Sequence, residues 1–178
     1  MRFLLTCFLC QALLAGAIAA EDVGSLLKLA ESAFRERRLG EAARVYERVL
    51  ITAPKNLHAL SNLAVVRLHQ KRYKDAKTEA NRGLSFHPED PFLLMVLGCS
   101  HYRMNEFDQA EVALNRALEL DPRNTEALNY LGWTYWALGE HKKSWEIYFR
   151  LQAIDPSFRP PADQKPRGPQ FTPRIREG

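Results

Sequence analysis

The chain has 178 residues, a length typical of one domain, and 46% of them are hydrophobic. Its net charge of +4 arises outside the central region. Residues 21–158 contain 19 basic and 19 acidic residues, whereas residues 159–178 contain five basic and two acidic ones. A neutral central region disfavours the basic stripe that a nucleic-acid-binding protein needs.

Residues 1–20 have the layout of a secretory signal peptide. Arg2 precedes an apolar run from Phe3, and small residues follow as far as Ala20. We predict export and cleavage after Ala19 or Ala20. The alternative is an uncleaved anchor, because the 18 residues from Phe3 to Ala20 reach the lower limit of a membrane-spanning helix.

The central region repeats itself every 34 residues. Prolines mark this period at Pro54, Pro88, Pro122 and Pro156. The fourth place of each unit is leucine, at Leu26, Leu60, Leu94 and Leu128. The eighth place is always small, at Ala30, Ala64, Gly98 and Gly132. A period of this length predicts four helix–turn–helix units, residues 23–56, 57–90, 91–124 and 125–158, within a domain of residues 21–158.

Within each unit the apolar spacing predicts two helices. The first helix of the third unit carries a single stripe, formed by Leu94, Leu97, Gly98 and His101. The stripe of its second helix consists of Ala110, Leu114, Ala117 and Leu118. Small residues are expected where the two helices cross closely, and the proline ends the second helix. The predicted fold class is therefore all-α, with four stacked helical hairpins around a continuous core.

These units resemble the tetratricopeptide repeat, and the resemblance covers residues 23–158. It implies a short right-handed superhelix whose first helices line a concave groove that binds a protein or peptide. Family members that hold the acidic tails of heat-shock chaperones use a clamp of Lys, Asn, Asn and Lys or Arg. The matching places of this chain are Leu27, Glu31, Asn62 and Val96. Only Asn62 matches, so such a tail is not the expected ligand.

The resemblance places an unusual set of aromatic and apolar residues in the C-terminal half of the groove. The predicted protein-binding residues are Phe92, Met95, Val96, Tyr102, Tyr130, Trp133 and Trp136. Aromatic residues and methionine are common anchors of protein interfaces. The alternative is that Tyr102, Trp133 and Trp136 only pack between repeats.

The sequence has no pattern of an active site. No two of its five histidines are spaced i, i+4 as in a helical metal site, and the motifs of phosphate loops and catalytic serines are missing. His101 occupies a packing place and is interpreted as a structural histidine. We predict a non-enzymatic chain without a cofactor or a metal.

The last segment, residues 159–178, is rich in proline and basic residues and is predicted to be a flexible, disordered or extended tail. Two alternatives to a passive tail stay open. Phe158, Phe171 or Ile175 could fold back over the exposed end of the fourth unit or dock a partner. The basic charge could instead contact an anionic membrane.

The function predicted from the sequence is protein–protein interaction outside the cytoplasm, as a scaffold, adaptor or assembly factor. A bacterial periplasm is favoured, because it fits the small size, the signal-peptide layout and the lack of an intramolecular disulfide once cleavage leaves only Cys99. An envelope-complex partner is suggested by analogy with exported members of the family. The alternatives are a self-associating structural protein and, if residues 1–20 are retained, a membrane-anchored adaptor.

Overall fold

The computed structural model describes residues 22–159 and 173–176. The described residues form eight α-helices, and no strand occurs among them. The helices are α1 Val23–Arg35, α2 Leu39–Thr52, α3 Leu57–His69, α4 Tyr73–Phe86, α5 Pro91–Arg103, α6 Phe107–Leu120, α7 Thr125–Ala137 and α8 His141–Ile154. The all-α prediction of four helical hairpins is confirmed. The predicted signal peptide lies outside the described residues.

The first helix of every unit begins at an Asp or Asn cap. These caps are Asp22, Asn56, Asp90 and Asn124, and each side chain accepts a hydrogen bond from a backbone N–H of the first turn. Such caps satisfy donors that have no partner inside the helix. The start of each unit is therefore specified locally, at the same place of every repeat.

In the third and fourth hairpins the two helices cross so closely at the eighth place that a side chain would not fit. A Cβ atom built on Gly132 would lie 2.4 Å from Tyr148 Cε1, and one on Gly98 would lie 2.5 Å from Leu114 Cγ. These distances are far below van der Waals contact, so the small residues permit the close crossing. The predicted reason for small residues at this place is confirmed.

The packing of successive hairpins produces one inner surface. Each helix packs against the next along the chain, and the first helices also contact one another in the pairs α1–α3, α3–α5 and α5–α7. Among the described helices, the second helices make no comparable contacts with one another. The first helices therefore lie on the inner side of the curve, and their exposed faces form the groove. No helix in residues 22–159 is long and apolar enough to cross a bilayer.

Candidate peptide-binding groove

The groove formed by α3, α5 and α7 is occupied by the chain itself. Residues Pro173–Arg176, here called the C-terminal segment, have no regular secondary structure and contact all three helices. Pro173 is buried, and both Ile175 and Arg176 are half-buried. The structure thus shows which groove residues can hold an extended polypeptide.

Asn62 on α3 binds the backbone of the segment in both directions. Its Oδ1 accepts a hydrogen bond from the Arg176 N–H at 2.5 Å, and its Nδ2 donates to the Arg176 carbonyl at 2.9 Å. Asn62 is fully buried, and its Nδ2 also lies 3.3 Å from the Tyr46 hydroxyl, which helps to fix the orientation of the amide. Because both bonds go to main-chain groups, Asn62 recognises an extended backbone and not a particular side chain.

Asp90 and Phe92 hold the Arg176 side chain. The Arg176 Nη2 atom lies 2.7 Å from Asp90 Oδ1 and 2.6 Å from Asp90 Oδ2, and the guanidinium carbon lies 5.0 Å from the centre of the Phe92 ring. The Asp90 side chain is only 11% exposed, so water screens this ion pair less than it would a surface pair. Asp90 also caps α5, and the cap fixes its carboxylate at the edge of the groove.

His69 holds the other end of the segment. Its Nε2 lies 2.8 Å from the Pro173 carbonyl, and its ring packs edge-on against Phe34, with ring centres 4.9 Å apart. Burial lowers the pKa of His69, because it disfavours the charged imidazolium. The neutral ring can still donate its Nε2 proton to the carbonyl.

Glu126 faces the segment from the first turn of α7. Burial raises its pKa to about 7, whereas the Arg174 backbone N–H, which donates to the carboxylate, and the positive charge of Arg174 act in the opposite direction. A cavity lined by Phe92, Met95, Glu126 and Ile175 lies beside this contact. Acidic and apolar groups therefore alternate along the groove.

The structure brings two of the predicted binding residues to the segment, namely Phe92 and Met95. Val96 and Tyr130 are buried, as are Asn62 and Met95, and Tyr130 lines a second cavity together with His69 and Arg103. Tyr102 packs against Tyr130, with ring centres 5.6 Å apart.

The two predicted tryptophans lie in the last unit and contact its second helix. The Trp133 ring centre lies 6.2 Å from that of Tyr148, and the Trp136 ring centre lies 4.4 Å from that of His141. Both tryptophans are half-buried. The packing alternative therefore has structural support, and a role of the tryptophans in binding stays a prediction.

Phe158, Phe171 and Ile175 were considered as residues that fold back over the fourth unit, and the two that the structure describes lie at different places. Phe158 packs against Tyr148 at the end of the array, with ring centres 5.7 Å apart. Ile175 lies in the groove, where it lines a cavity with Phe92, Met95 and Glu126. Phe171 lies outside the described residues.

The polar residues that hold the segment were not among the predicted binding residues. Asn62 was noted only as a match to the chaperone-tail clamp, and neither His69 nor Glu126 was predicted to bind a ligand. Asn62, His69 and Glu126 all occupy groove-facing places of their first helices, and this position was the one sequence feature that pointed to a binding role. Asp90 gave no such signal, because Asp before a helix is sufficiently explained as a cap.

His101 is a structural residue, as its place in the repeat indicated. Its Nδ1 lies 2.6 Å from Glu106 Oε2 across the turn of the third hairpin. Within the described part of the chain, no three His, Cys, Asp or Glu side chains group as metal ligands would.

Two family models match the chain, and both are described as tetratricopeptide repeat. One covers residues 33–97 and the other residues 95–157. No curated protein matches significantly.

Solved structures of other proteins share the fold. A structure of MamA is 26% identical, with a TM-score of 0.66 over 72% of this chain and 75% of that one. MamA from Desulfovibrio magneticus RS-1 is 21% identical, with a TM-score of 0.69 over 78% of both chains. The first tetratricopeptide repeat domain of Spaghetti (RPAP3), bound to the HSP90 peptide SRMEEVD, is 21% identical, with a TM-score of 0.64 over 68% of this chain and 97% of that one. With its four hairpins and both family matches, this chain belongs to the tetratricopeptide repeat family.

Proposed function

We propose that this chain is a non-enzymatic adaptor or scaffold that binds an extended segment of a partner protein in the groove formed by α3, α5 and α7. Tetratricopeptide repeat proteins are generally interaction modules, and the related Spaghetti domain has a structure with a bound peptide. The observation that carries the proposal is the pair of hydrogen bonds between Asn62 and the backbone of Arg176. A side chain that satisfies both main-chain groups of one residue is suited to any extended ligand.

The half-buried tryptophans Trp133 and Trp136 are proposed as additional anchors beyond the C-terminal segment. They lie in the same helix as Glu126, and each has a ring partly open to solvent. Loss of an interface aromatic residue often costs about 2 kcal/mol or more in binding. Trp136→Ala should therefore weaken partner binding while the eight helices stay folded.

The test of this groove is selection of random displayed peptides on the purified protein, followed by titration of the selected peptides. The titrations use an Arg176→Glu protein, because in the original chain Asn62→Ala would also weaken the competing contact with residues 173–176. In that protein Asn62→Ala should weaken peptide binding by about 1–3 kcal/mol, or roughly 5- to 150-fold, because two backbone groups of the ligand lose their partner. Asn81→Ala, on the exposed surface of α4, is the matched control and should leave binding unchanged. Recovery of no peptide, or equal binding by the Asn62→Ala protein, would exclude the groove as the binding site.

The proposed site of action is outside the cytoplasm, with the bacterial periplasm and an envelope complex favoured. The support is the layout of residues 1–20. The intact mass of the exported protein tests it, because a mass without residues 1–19 or 1–20 is expected. An exported protein that retains these residues would be an anchored adaptor instead.

A further inference from the structure

The C-terminal segment is complementary in charge to the groove that it occupies. Its sequence is Pro-Arg-Ile-Arg, so two arginines flank one aliphatic residue. Arg176 is paired with the carboxylate of Asp90 and stacks on Phe92, while Arg174 lies beside Glu126. Asp90 therefore pairs with the Arg176 side chain, whereas Glu126 accepts the Arg174 backbone N–H and interacts electrostatically with its exposed side chain.

The aliphatic residue between the arginines has its own place. Ile175 is half-buried, borders Phe92 and Met95, and packs against the main core cluster. Charge complementarity beside an apolar contact discriminates against an acidic segment, which would meet the Asp90 carboxylate as a like charge. The same arrangement explains why the match of Asn62 alone does not make this groove a receptor for acidic tails.

We propose that the groove recognises extended segments with the pattern Arg–aliphatic–Arg, and that residues 173–176 occupy it within the same molecule until a partner segment of this chemistry displaces them. The inference rests on the proposed function and adds to it the chemical class of the partner segment and a built-in competitor. The C-terminal segment is thus an internal inhibitor of partner binding.

The segment can reach the groove of its own molecule. Thirteen residues, 160–172, connect it to the end of the helical array. A chain of that length spans up to about 45 Å, more than twice the length of a helix of the array at about 20 Å. Phe158 and Arg174 line the same cavity, so the two ends of the connection lie close together. A short tether of this kind gives an effective concentration on the order of millimolar.

The first experiment measures binding of a labelled peptide of residues 171–178, Phe-Thr-Pro-Arg-Ile-Arg-Glu-Gly, to the full chain by fluorescence anisotropy. Arg176→Glu in the protein should release its own segment, because Asp90 and the new carboxylate repel each other. The apparent affinity for the added peptide should then rise about tenfold or more, since the internal competitor is removed. Ile175→Asp is a second release variant and should have the same effect. Unchanged affinity in both variants would overturn the internal occupancy.

The second experiment tests the chemistry of recognition in the Arg176→Glu background. Asp90→Asn removes the charge but keeps a good helix cap, so the fold is preserved. It should weaken binding of the peptide about tenfold or more, because a charge-assisted contact is lost. Asp22→Asn makes the same change at the cap of α1, outside the groove, and should leave affinity unchanged. A peptide with both arginines replaced by glutamate should not bind, and equal binding of the two peptides would refute the basic specificity.

Two further outcomes separate this inference from the proposed function. If the Arg176→Glu protein binds other peptides selected from the library but not the arginine peptide, the inference fails and the proposed function stands. If it binds no peptide at all, both fail. Light scattering should show a monomer at all concentrations. The mass could instead rise with concentration in the original chain but not in Arg176→Glu. The segment of one copy would then occupy the groove of a second copy, and occupancy within one molecule would be refuted.

Discussion

The turn inside each hairpin places one residue in the left-handed region, and only the last unit has glycine there. Arg37, Lys71, Asn105 and Gly139 have φ angles of 63°, 60°, 61° and 80°. This conformation costs about 1–2 kcal/mol for a residue with a Cβ atom, whereas glycine loses about 0.5–1 kcal/mol of additional chain entropy on folding. We therefore expect Lys71→Gly to raise the free energy of unfolding by about 0.5–1 kcal/mol.

The equivalent positions provide matched controls for this prediction. Arg37→Gly should stabilise the protein to a similar extent, because Arg37 is also exposed and also left-handed. Asn105→Gly should change stability little, since asparagine tolerates this conformation. Gly139→Ala should have the opposite effect to Lys71→Gly. A Cβ at this position meets no atom within 4 Å, so the cost would come from the backbone and not from a clash.

The assay is urea unfolding followed by circular dichroism. With an m-value of about 2 kcal/mol per molar urea, a gain of about 0.5–1 kcal/mol moves the midpoint up by about 0.3–0.5 M. The m-value should stay constant, because the helices are unchanged. If Lys71→Gly lowers the midpoint as Gly139→Ala does, left-handed strain does not govern these turns and the reasoning is refuted.

Two other predictions concern packing and pH. Gly132→Ala should lower the free energy of unfolding by about 1–2 kcal/mol, because its Cβ would overlap the buried Tyr148 ring, whereas Gly40→Ala, with open space around it, should not destabilise the protein. Equal midpoints for the two variants in urea would contradict the close crossing. Glu126 has a folded-state pKa raised to about 7, so the folded state binds more protons and its stability falls as pH rises from about 4.5 to 7. Glu126→Gln should stabilise the protein at pH 8 by on the order of 2–3 kcal/mol more than at pH 4.5. The lowered pKa of His69 makes stability change with pH in the opposite direction, but this contribution is present in both proteins and cancels when the variant is compared with the original chain. A pH-independent effect of this substitution in urea titrations would show that Glu126 ionises normally.

The two helices of each unit and the bounds of the four units could be derived from the sequence, because their causes are local and recur. The cap at Asn124, the small residue at Gly98 and the proline that ends each unit act within one turn or one hairpin. Four copies of each signal also separate a structural requirement from chance. The family resemblance, applied in this register, placed Phe92 and Met95 in the groove, where they border the C-terminal segment.

The polar residues of the groove could not be identified from local sequence patterns. A polar residue on a helix usually faces water, so Asn62 or His69 does not stand out from its neighbours. Their partners lie 114 and 104 residues away in the chain. From the sequence, Asp90 is sufficiently explained as a helix cap. Its contact with Arg176, which lies 86 residues away in the chain, is visible only in the structure. Contacts between segments this far apart have no period in the sequence.

By itself, the sequence determined the all-α class, the four hairpins, the neutral array and the basic end of the chain, since these depend on composition and on spacing within 34 residues. Only the tertiary structure decided that residues 173–176 lie in the groove and that Asn62, His69 and Asp90 hold them there. The physical reason is the curvature of the array. Stacking brings one face of α3, α5 and α7 together, and that shared face turns three separate polar residues and one helix cap into a binding surface.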